Sequence, residues 1–298
     1  MDNLVEIRHL THRFPLTRHV AVKALDDVSF SIRRGEILGL VGESGSGKST
    51  VARCLMNILR PEAGSIFYRG MDICDPVQFR AHRQQLQKER QIIFQDSGSA
   101  LNPRMRIRQI LEEPLEIHHL QASREKHEAF LRKHLGNVGI EARYLDLYPP
   151  ELSGGQRQRV SIARALVTEP AFIVADEPVA SLDVSIQAQI INLFQHLQQE
   201  HGFTFLFIAH DLAMVEFLCH RVGVMYRGRL VELAPTAQLF SAPLHPYTQA
   251  LLSSIPIPDP RLERSRVRRP VPELDLSGAW HLEEREPDHF VLTEGEAP

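Results

Sequence analysis

One stretch, Gly42-Glu43-Ser44-Gly45-Ser46-Gly47-Lys48-Ser49, constrains this chain more than any other. It follows a continuous apolar run, Ile37 to Val41, and opens a helical pattern from Ser49 to Leu59. Strand, glycine-rich loop and helix, in that order, are the setting in which the spacing G-x-x-x-x-G-K-[ST] binds phosphate. Glycines let the backbone wrap until successive N–H groups point inward as an anion nest, and the helix N-terminus adds its dipole. The candidate phosphate ligands are Gly42, Ser44, Gly45, Gly47, Lys48, Ser49 and Thr50. Lys48 is placed to reach the β- and γ-phosphates of a nucleotide, and the Ser49 hydroxyl to ligate Mg²⁺. The loop alone does not separate a kinase, a GTPase and a transport ATPase.

The rest of the pattern supplies a sheet for that loop. Residues 1 to about 36 alternate apolar and polar in short runs, which reads as strands with one solvated face. Gly64 to Tyr68 adds another strand after a Pro-Glu-Ala-Gly turn. Asn102 to Leu166 is mostly helical by pattern, with helices expected to end at or before Pro103, Pro114 and the Pro149-Pro150 pair. Two apolar runs, Ala171 to Ala175 and Phe203 to Ala209, flank a helical stretch from Ile186 to Glu200. Runs apolar on both faces, alternating with helices, predict a parallel sheet covered on both sides. The first of these runs ends in Asp176-Glu177. At the carboxyl end of a parallel strand, Asp176 would stand beside the loop and hold Mg²⁺, and Glu177 would orient and polarise an attacking water.

A second glycine-bearing helix start is written at Leu152-Ser153-Gly154-Gly155-Gln156, capped by Ser153 and carrying free N–H groups suited to a γ-phosphate. This segment resembles the signature of ABC-type ATPases, and it lies between the phosphate loop and the acidic strand as in that family. The resemblance spans roughly residues 4 to 255. It implies an α/β fold, a P-loop NTPase with a RecA-like core, an antiparallel β subdomain and an inserted α-helical subdomain at about 96–165. It implies ATP and Mg²⁺ as ligands, and two cassettes paired head to tail, alike or different. Each site then takes the phosphate loop of one chain and Ser153, Gly155 and Gln156 of the other. Gln95 resembles the family's glutamine loop, a sensor of Mg²⁺ and of the attacking water that touches the membrane partner. His210 resembles the switch histidine at the γ-phosphate, and Asp183, in Ser181-Leu182-Asp183, the loop joining the two sites. Phe14 matches the aromatic that stacks on adenine. Val179-Ala180 departs from the small hydroxylated residue usual there. On this resemblance Glu177, His210, Gln95 and Lys48 form the catalytic set, with Ser49, Gln95 and Asp176 at the metal.

Tyr148-Pro149-Pro150-Glu151 is similar to importer cassettes. Gly42 to Gly45, Ser99 to Pro103 and Pro243 to Leu252 are similar to the bacterial oligopeptide, dipeptide and nickel uptake group. The resemblance implies two integral membrane permease subunits, an extracytoplasmic solute-binding protein, and a peripheral position on the cytoplasmic face of the membrane. Coupling would pass through the helical region from Gln95 to Met105. Several features agree with that placement. No apolar stretch nears the roughly 20 residues a membrane helix needs. Three scattered cysteines fit a reducing compartment, and the formal charge of -3 gives no reason to expect nucleic acid. Many group members carry a cysteine-rich stretch after the Pro243 segment; here no cysteine follows Cys219, so no tail-bound metal is expected. Residues 256–298 hold seven of the 19 prolines and read as an extended appendix with little core of its own. Other readings are a non-transport ABC ATPase and a P-loop kinase. The first lacks its long heptad coiled coils or second cassette, and the second would leave Leu152 to Gln156 without a role.

Overall fold

Alternating burial drives the first third of the chain into antiparallel pairing. In the computed structural model, which describes residues 2–15, 17, 20–95, 97–120, 124–255, 269–273 and 278–295, Asn3–Pro15 (β1) pairs with Ala21–Arg33 (β2), Ile7 opposite Phe30 and Leu10 opposite Val28. The chain then leaves this sheet through Ile37–Val41 (β3) and Lys48–Leu55 (α1). It returns in Ala63–Tyr68 (β4) and the short Met71–Asp72 (β5), giving a four-stranded sheet of order β2-β1-β4-β5.

After Pro76–Glu89 (α2), capped by the Asp75 carboxylate on the Val77 N–H, the chain adds Arg90–Ile93 (β6). Before the next strand every regular element among the described residues is helical: Ser97–Ala100 (α3), Ile107–Ile117 (α4), Arg124–Asn137 (α5), two 3₁₀ turns at 142–146 and 149–151, and Gly154–Leu166 (α6). Arg164 Nη1 ties α6 to the Ala100 carbonyl at 2.7 Å, and Arg159 Nη1 ties it to that of Val138 at 2.7 Å. There follow Phe172–Asp176 (β7), Val184–His201 (α7), Thr204–Ile208 (β8), Leu212–Leu218 (α8), Arg221–Tyr226 (β9) and Arg229–Pro235 (β10), then Thr236–Ser241 (α9) and Pro246–Ser253 (α10).

The strands β9, β3, β8, β7 and β6 are neighbours in that order and parallel, with β10 antiparallel on β9. Each central strand is apolar on both faces because both are covered. Leu38, Leu40, Val174, Leu206 and Ile208 face one core, shared with Val51, Cys54 and Leu55 of α1 and with β1, β2 and β4. Ile37, Ile173, Ala175, Phe205 and Phe207 face the other, shared with α7, α8 and the α4–α6 region.

Two expectations from the sequence differ. Pro114 does not end a helix; it lies inside α4. A proline there removes only the bond to the Ile110 carbonyl, and Ile107, Ile110, Leu111 and Leu115, all buried, hold the turn to the core from both sides of it. Pro114→Ala should therefore restore one helical hydrogen bond against a smaller gain in unfolded-chain entropy. We expect Tm to rise by about 2–4 °C, the shift that about 1 kcal/mol gives in a domain of this size. A fall in thermal unfolding temperature would mean that the fixed φ of proline outweighs the missing bond.

The end of the chain also differs. Trp280–Glu286 (β11) and His289–Glu294 (β12) form an antiparallel hairpin that joins the large sheet at its β10 edge, with Glu232 opposite Val291. Val291, Leu292 and His289 are buried, and Asp288 takes both terminal nitrogens of Arg33 at 2.8 and 2.6 Å. The segment has little core of its own but borrows the cassette's. Only four consecutive residues, His289 to Leu292, carry that signal among acidic neighbours, and the sheet strand β10 that the hairpin joins lies over 50 residues upstream. Most of the basic cluster Arg261–Arg269 lies outside the described residues.

Candidate active site

Parallel register gathers the sequence-predicted residues at one end of the large sheet. Leu40 is level with Ile208, and Ile208 with Asp176. Just beyond that row stand Gly42 after β3, Glu177 after β7 and His210 after β8. Ile93 is level with Ala175, so Gln95, exposed and two residues on, follows β6 to the same end. This is the crevice outside the carboxyl ends of the strands where open α/β sheets bind ligands.

The phosphate loop is shaped by what presses on it. Gly42 has φ 145°, and a Cβ there would stand 2.1 Å from the Met225 carbonyl oxygen; at Gly47, φ 109°, it would stand 2.5 Å from that of Ala24. Any side chain at either place would push the loop off its support. Gly228, in the β9–β10 turn, donates its N–H to the Ser46 carbonyl at 3.0 Å. Lys48 Nζ is buried and donates to the carbonyls of Gly42 and Glu43 at 2.7 and 2.8 Å. Burial pulls its pKa down, and the nearby Glu177, Asp176 and Glu43 carboxylates resist that pull.

Ser49 Oγ donates to Asp176 Oδ1 at 3.0 Å, joining the first turn of α1 to the end of β7. Burial raises the Asp176 pKa, while the Ser49 hydroxyl, Arg53 and Lys48 hold it down. The Ser49 hydroxyl and the Asp176 carboxylate, with Gln95 following β6 to the same end of the sheet, offer hard oxygen donors with a single carboxylate. That suits Mg²⁺ shared with substrate phosphates. The loop likewise fits a polyphosphate: no atom would lie within 4 Å of a Cβ at Gly45, and the Lys48 ammonium is held at its floor.

Glu177 has a positive φ of 49°, unusual for a residue with a Cβ and costing about 1–3 kcal/mol unless its surroundings hold it. Its N–H donates to the Ile208 carbonyl at 3.0 Å, and its Oε1 is in direct contact with His210 Nε2. Its side chain is only 12% exposed. A carboxylate so oriented and backed by an imidazole can polarise a water molecule at the open side of the loop.

Ser153 caps α6. Its Oγ accepts the Gln156 N–H at 3.3 Å and its own N–H donates to Gln156 Oε1 at 2.9 Å, a capping box. Ser153 is exposed. The structure adds a packing reason for Gly155, because a Cβ there would stand 2.7 Å from Ile186 Cγ2 in the first turn of α7. Leu182 packs against Gly154 at ordinary contact distance, and Asp183 is the N-cap of α7. The 181–183 turn and the signature tip are thus packed together. The body of α6 lies in one core and that of α1 in the other, so the two glycine-bearing helices cover opposite faces of the sheet. The chain does not bring its own Ser153 to its own Lys48 loop through either core.

Phe14, near the end of β1, lies opposite Val22 and edge-on to His12, ring centroids 4.7 Å apart. Val22 is two residues from Ala24, whose carbonyl backs Gly47. Its strand partner β2 is the element that reaches the loop, through the Ala24 carbonyl at Gly47.

Two supports of the loop were not foreseen: the β9–β10 turn and Tyr247, whose hydroxyl accepts the Glu43 N–H at 3.2 Å. Gly228 is a turn glycine by any local reading, and Tyr247 an apolar-face aromatic. Neither carries a sequence signal of contact with Gly42 to Ser49.

The chain matches the family model described as ABC transporter over residues 25–180, and that described as oligopeptide/dipeptide transporter, C-terminal region, over residues 231–277. It is 47% identical to the oligopeptide transport ATP-binding protein OppF of Bacillus subtilis (strain 168), covering 99% of this chain and 98% of that one. It is 50% identical to the putative oligopeptide transport ATP-binding protein YkfD of the same organism, covering 89% and 80%. Among solved structures, a dimeric post-hydrolysis state of the ATP-binding cassette MJ0796 bound to ADP and Pi superposes with a TM-score of 0.70 at 27% identity, over 78% of this chain and 98% of that one. The cbiO1 protein from Clostridium perfringens, part of the ABC transporter complex cbiONQ, also gives 0.70 at 27% identity, over 81% and 92%.

Proposed function

Because the chain belongs to the ABC transporter family, we propose that it is the ATP-hydrolysing subunit of a peptide importer, paired with a second cassette beneath membrane permease subunits. The observation that carries this reading is likeness along almost the whole chain to a protein named as an oligopeptide transport ATP-binding protein, the C-terminal region included. Among the described residues no helix is long and apolar enough to cross a membrane. That fits a subunit held peripherally at the cytoplasmic face by its partners. The expected extracytoplasmic solute-binding protein belongs to the same proposal.

In the proposed mechanism ATP lies between Phe14 and the phosphate loop of one cassette and Ser153, Gly155 and Gln156 of its neighbour. Ser49, Asp176 and Gln95 would hold Mg²⁺, which neutralises phosphate charge when bound. The loop N–H groups and Lys48 orient the triphosphate. Glu177, steadied by His210, orients the attacking water and accepts its proton. Lys48 and His210 oppose the charge that develops on the γ-phosphoryl oxygens, so catalysis is positioning plus electrostatic stabilisation. Loss of that phosphate removes what the two chains share, and the dimer opens. Gln95 to Met105 carries the motion to the membrane subunits.

Deletion of the gene should abolish peptide uptake and spare nickel uptake, and the tagged chain should co-purify with integral membrane proteins in detergent. Co-purification with ribosomes or DNA would overturn a transport role. Loss of nickel uptake with peptide uptake intact would overturn the peptide assignment.

A further inference from the structure

The Glu43 N–H, at the second position of the phosphate loop, donates to a hydroxyl 204 residues further along the chain, that of Tyr247. Tyr247 has no exposed surface. Its ring lies against that of Tyr226, centroids 4.3 Å apart and planes at 38°. The backbone around it is fixed just as firmly. Tyr247 sits in the first turn of α10, behind Pro246, and its N–H donates to Nδ1 of the capping His245 at 3.2 Å. The N–H groups of His245 and Leu244 donate in turn to the two oxygens of Glu232 at 3.0 and 2.8 Å. Glu232 is fully buried on β10, and its Oε1 also meets Nε2 of His289, fully buried on β12, at 2.7 Å. A buried carboxylate with several such partners leaves the start of α10 little room to move.

The loop this hydroxyl touches needs an outside hold. Gly42, Gly45 and Gly47 all have φ in the left-handed half of the map, where glycine is unstrained but also unrestrained. Among the described residues, two partners from elsewhere in the chain grip its backbone: Gly228 at the Ser46 carbonyl and Tyr247 at the Glu43 N–H. We propose that Tyr247 is a positioning residue of the nucleotide site: by holding the Glu43 peptide it sets the turn in which the following N–H groups face phosphate. The proposal rests on the reading of Gly42 to Ser49 as the ATP site. It gives the C-terminal segment, with Glu232 and His289 behind it, a direct line to nucleotide binding. Burial pushes the Tyr247 hydroxyl up to about 12, so it stays neutral and able to accept at physiological pH.

The test is Tyr247→Phe, which removes one oxygen and keeps the ring stack. The part-buried Glu43 N–H then loses its protein partner, and the loop loses the hold that this bond supplied. The loop grips ground state and transition state alike, so the loss should appear in binding and not in turnover. By calorimetry, the Kd of the isolated chain for ATP should rise about tenfold; in hydrolysis, KM should rise by a like factor with kcat within about twofold. Nucleotide-free Tm should move by no more than a few degrees. Tyr226→Phe, which removes the hydroxyl facing the Pro272 carbonyl at 3.4 Å, should leave both constants unchanged. An unaltered Kd in Tyr247→Phe overturns the proposal. So does an equal rise in Tyr226→Phe, which would place the effect in the stacked rings, or a fall in Tm with Kd unmoved, which would make the contact structural only. Failure of the wild-type chain to bind ATP would overturn the ATP-site reading itself, and is seen before either variant is made.

Discussion

Glu177→Gln should bind ATP at least as tightly as the wild type while its hydrolysis falls about 10²–10⁴-fold, the range over which a positioned acid or base contributes. The side chain is nearly isosteric, and the amide oxygen can still face His210. The turn at Glu177 is set by the backbone, through φ 49° and the bond to the Ile208 carbonyl, and not by the carboxylate. What is lost is the group that takes a proton from water. One negative charge also leaves the surroundings of the Lys48 ammonium, which Glu177 helps to keep charged; that change favours an anionic ligand. The uncleaved nucleotide should hold two chains together, so an ATP-dependent dimer accumulates on size exclusion. Single-turnover hydrolysis with purified chain is the decisive measurement. Turnover within tenfold of wild type would remove Glu177 from the role of base and direct attention to His210.

Ser153→Arg should leave the affinity of an isolated chain for ATP within about twofold and lower concentration-dependent hydrolysis about 10²–10³-fold, the loss expected when transition-state donors are displaced. Ser153 is exposed at the tip of α6, while the body of that helix is buried through Val160, Ile162 and Ala163. Loss of the cap should cost about 1 kcal/mol, which such a helix tolerates. The long cation would occupy the place proposed for the neighbour's γ-phosphate. It stays remote from its own phosphate loop, since α6 and α1 cover opposite faces of the sheet. Mixing it with Glu177→Gln chains tests the sharing directly, because each composite site then carries an identifiable defect. If Ser153→Arg abolished ATP binding by the lone chain, the two-chain site would be wrong.

Much of this site was legible from spacing alone, and for a local reason. Gly42 to Ser49, Phe172 to Glu177 and Ser153 to Gln156 each place their donors within one turn or one strand end, so the order of residues nearly dictates the geometry. Two elements depart from their local sequence pattern because distant packing overrides it. Pro114 reads locally as a helix end, but side chains on both sides of it are anchored in the core, and burial outweighs one missing hydrogen bond. The final hairpin is hidden because its four core-facing residues, His289 to Leu292, find their apolar surroundings on β10, more than 50 residues upstream.

The amino-acid order by itself determined a glycine-rich loop between a strand and a helix, an acidic strand end beside it and a second, capped glycine-bearing helix tip, because each depends on neighbours in the chain. Only the tertiary structure decided that α1 and α6 lie on opposite faces, that Gly228 and Tyr247 hold the loop, and that Glu232 and His289 meet in the interior. Those contacts join residues 57 to 204 positions apart or separate helices by a whole sheet. No periodicity along the chain encodes such distances; they follow from how the layers pack.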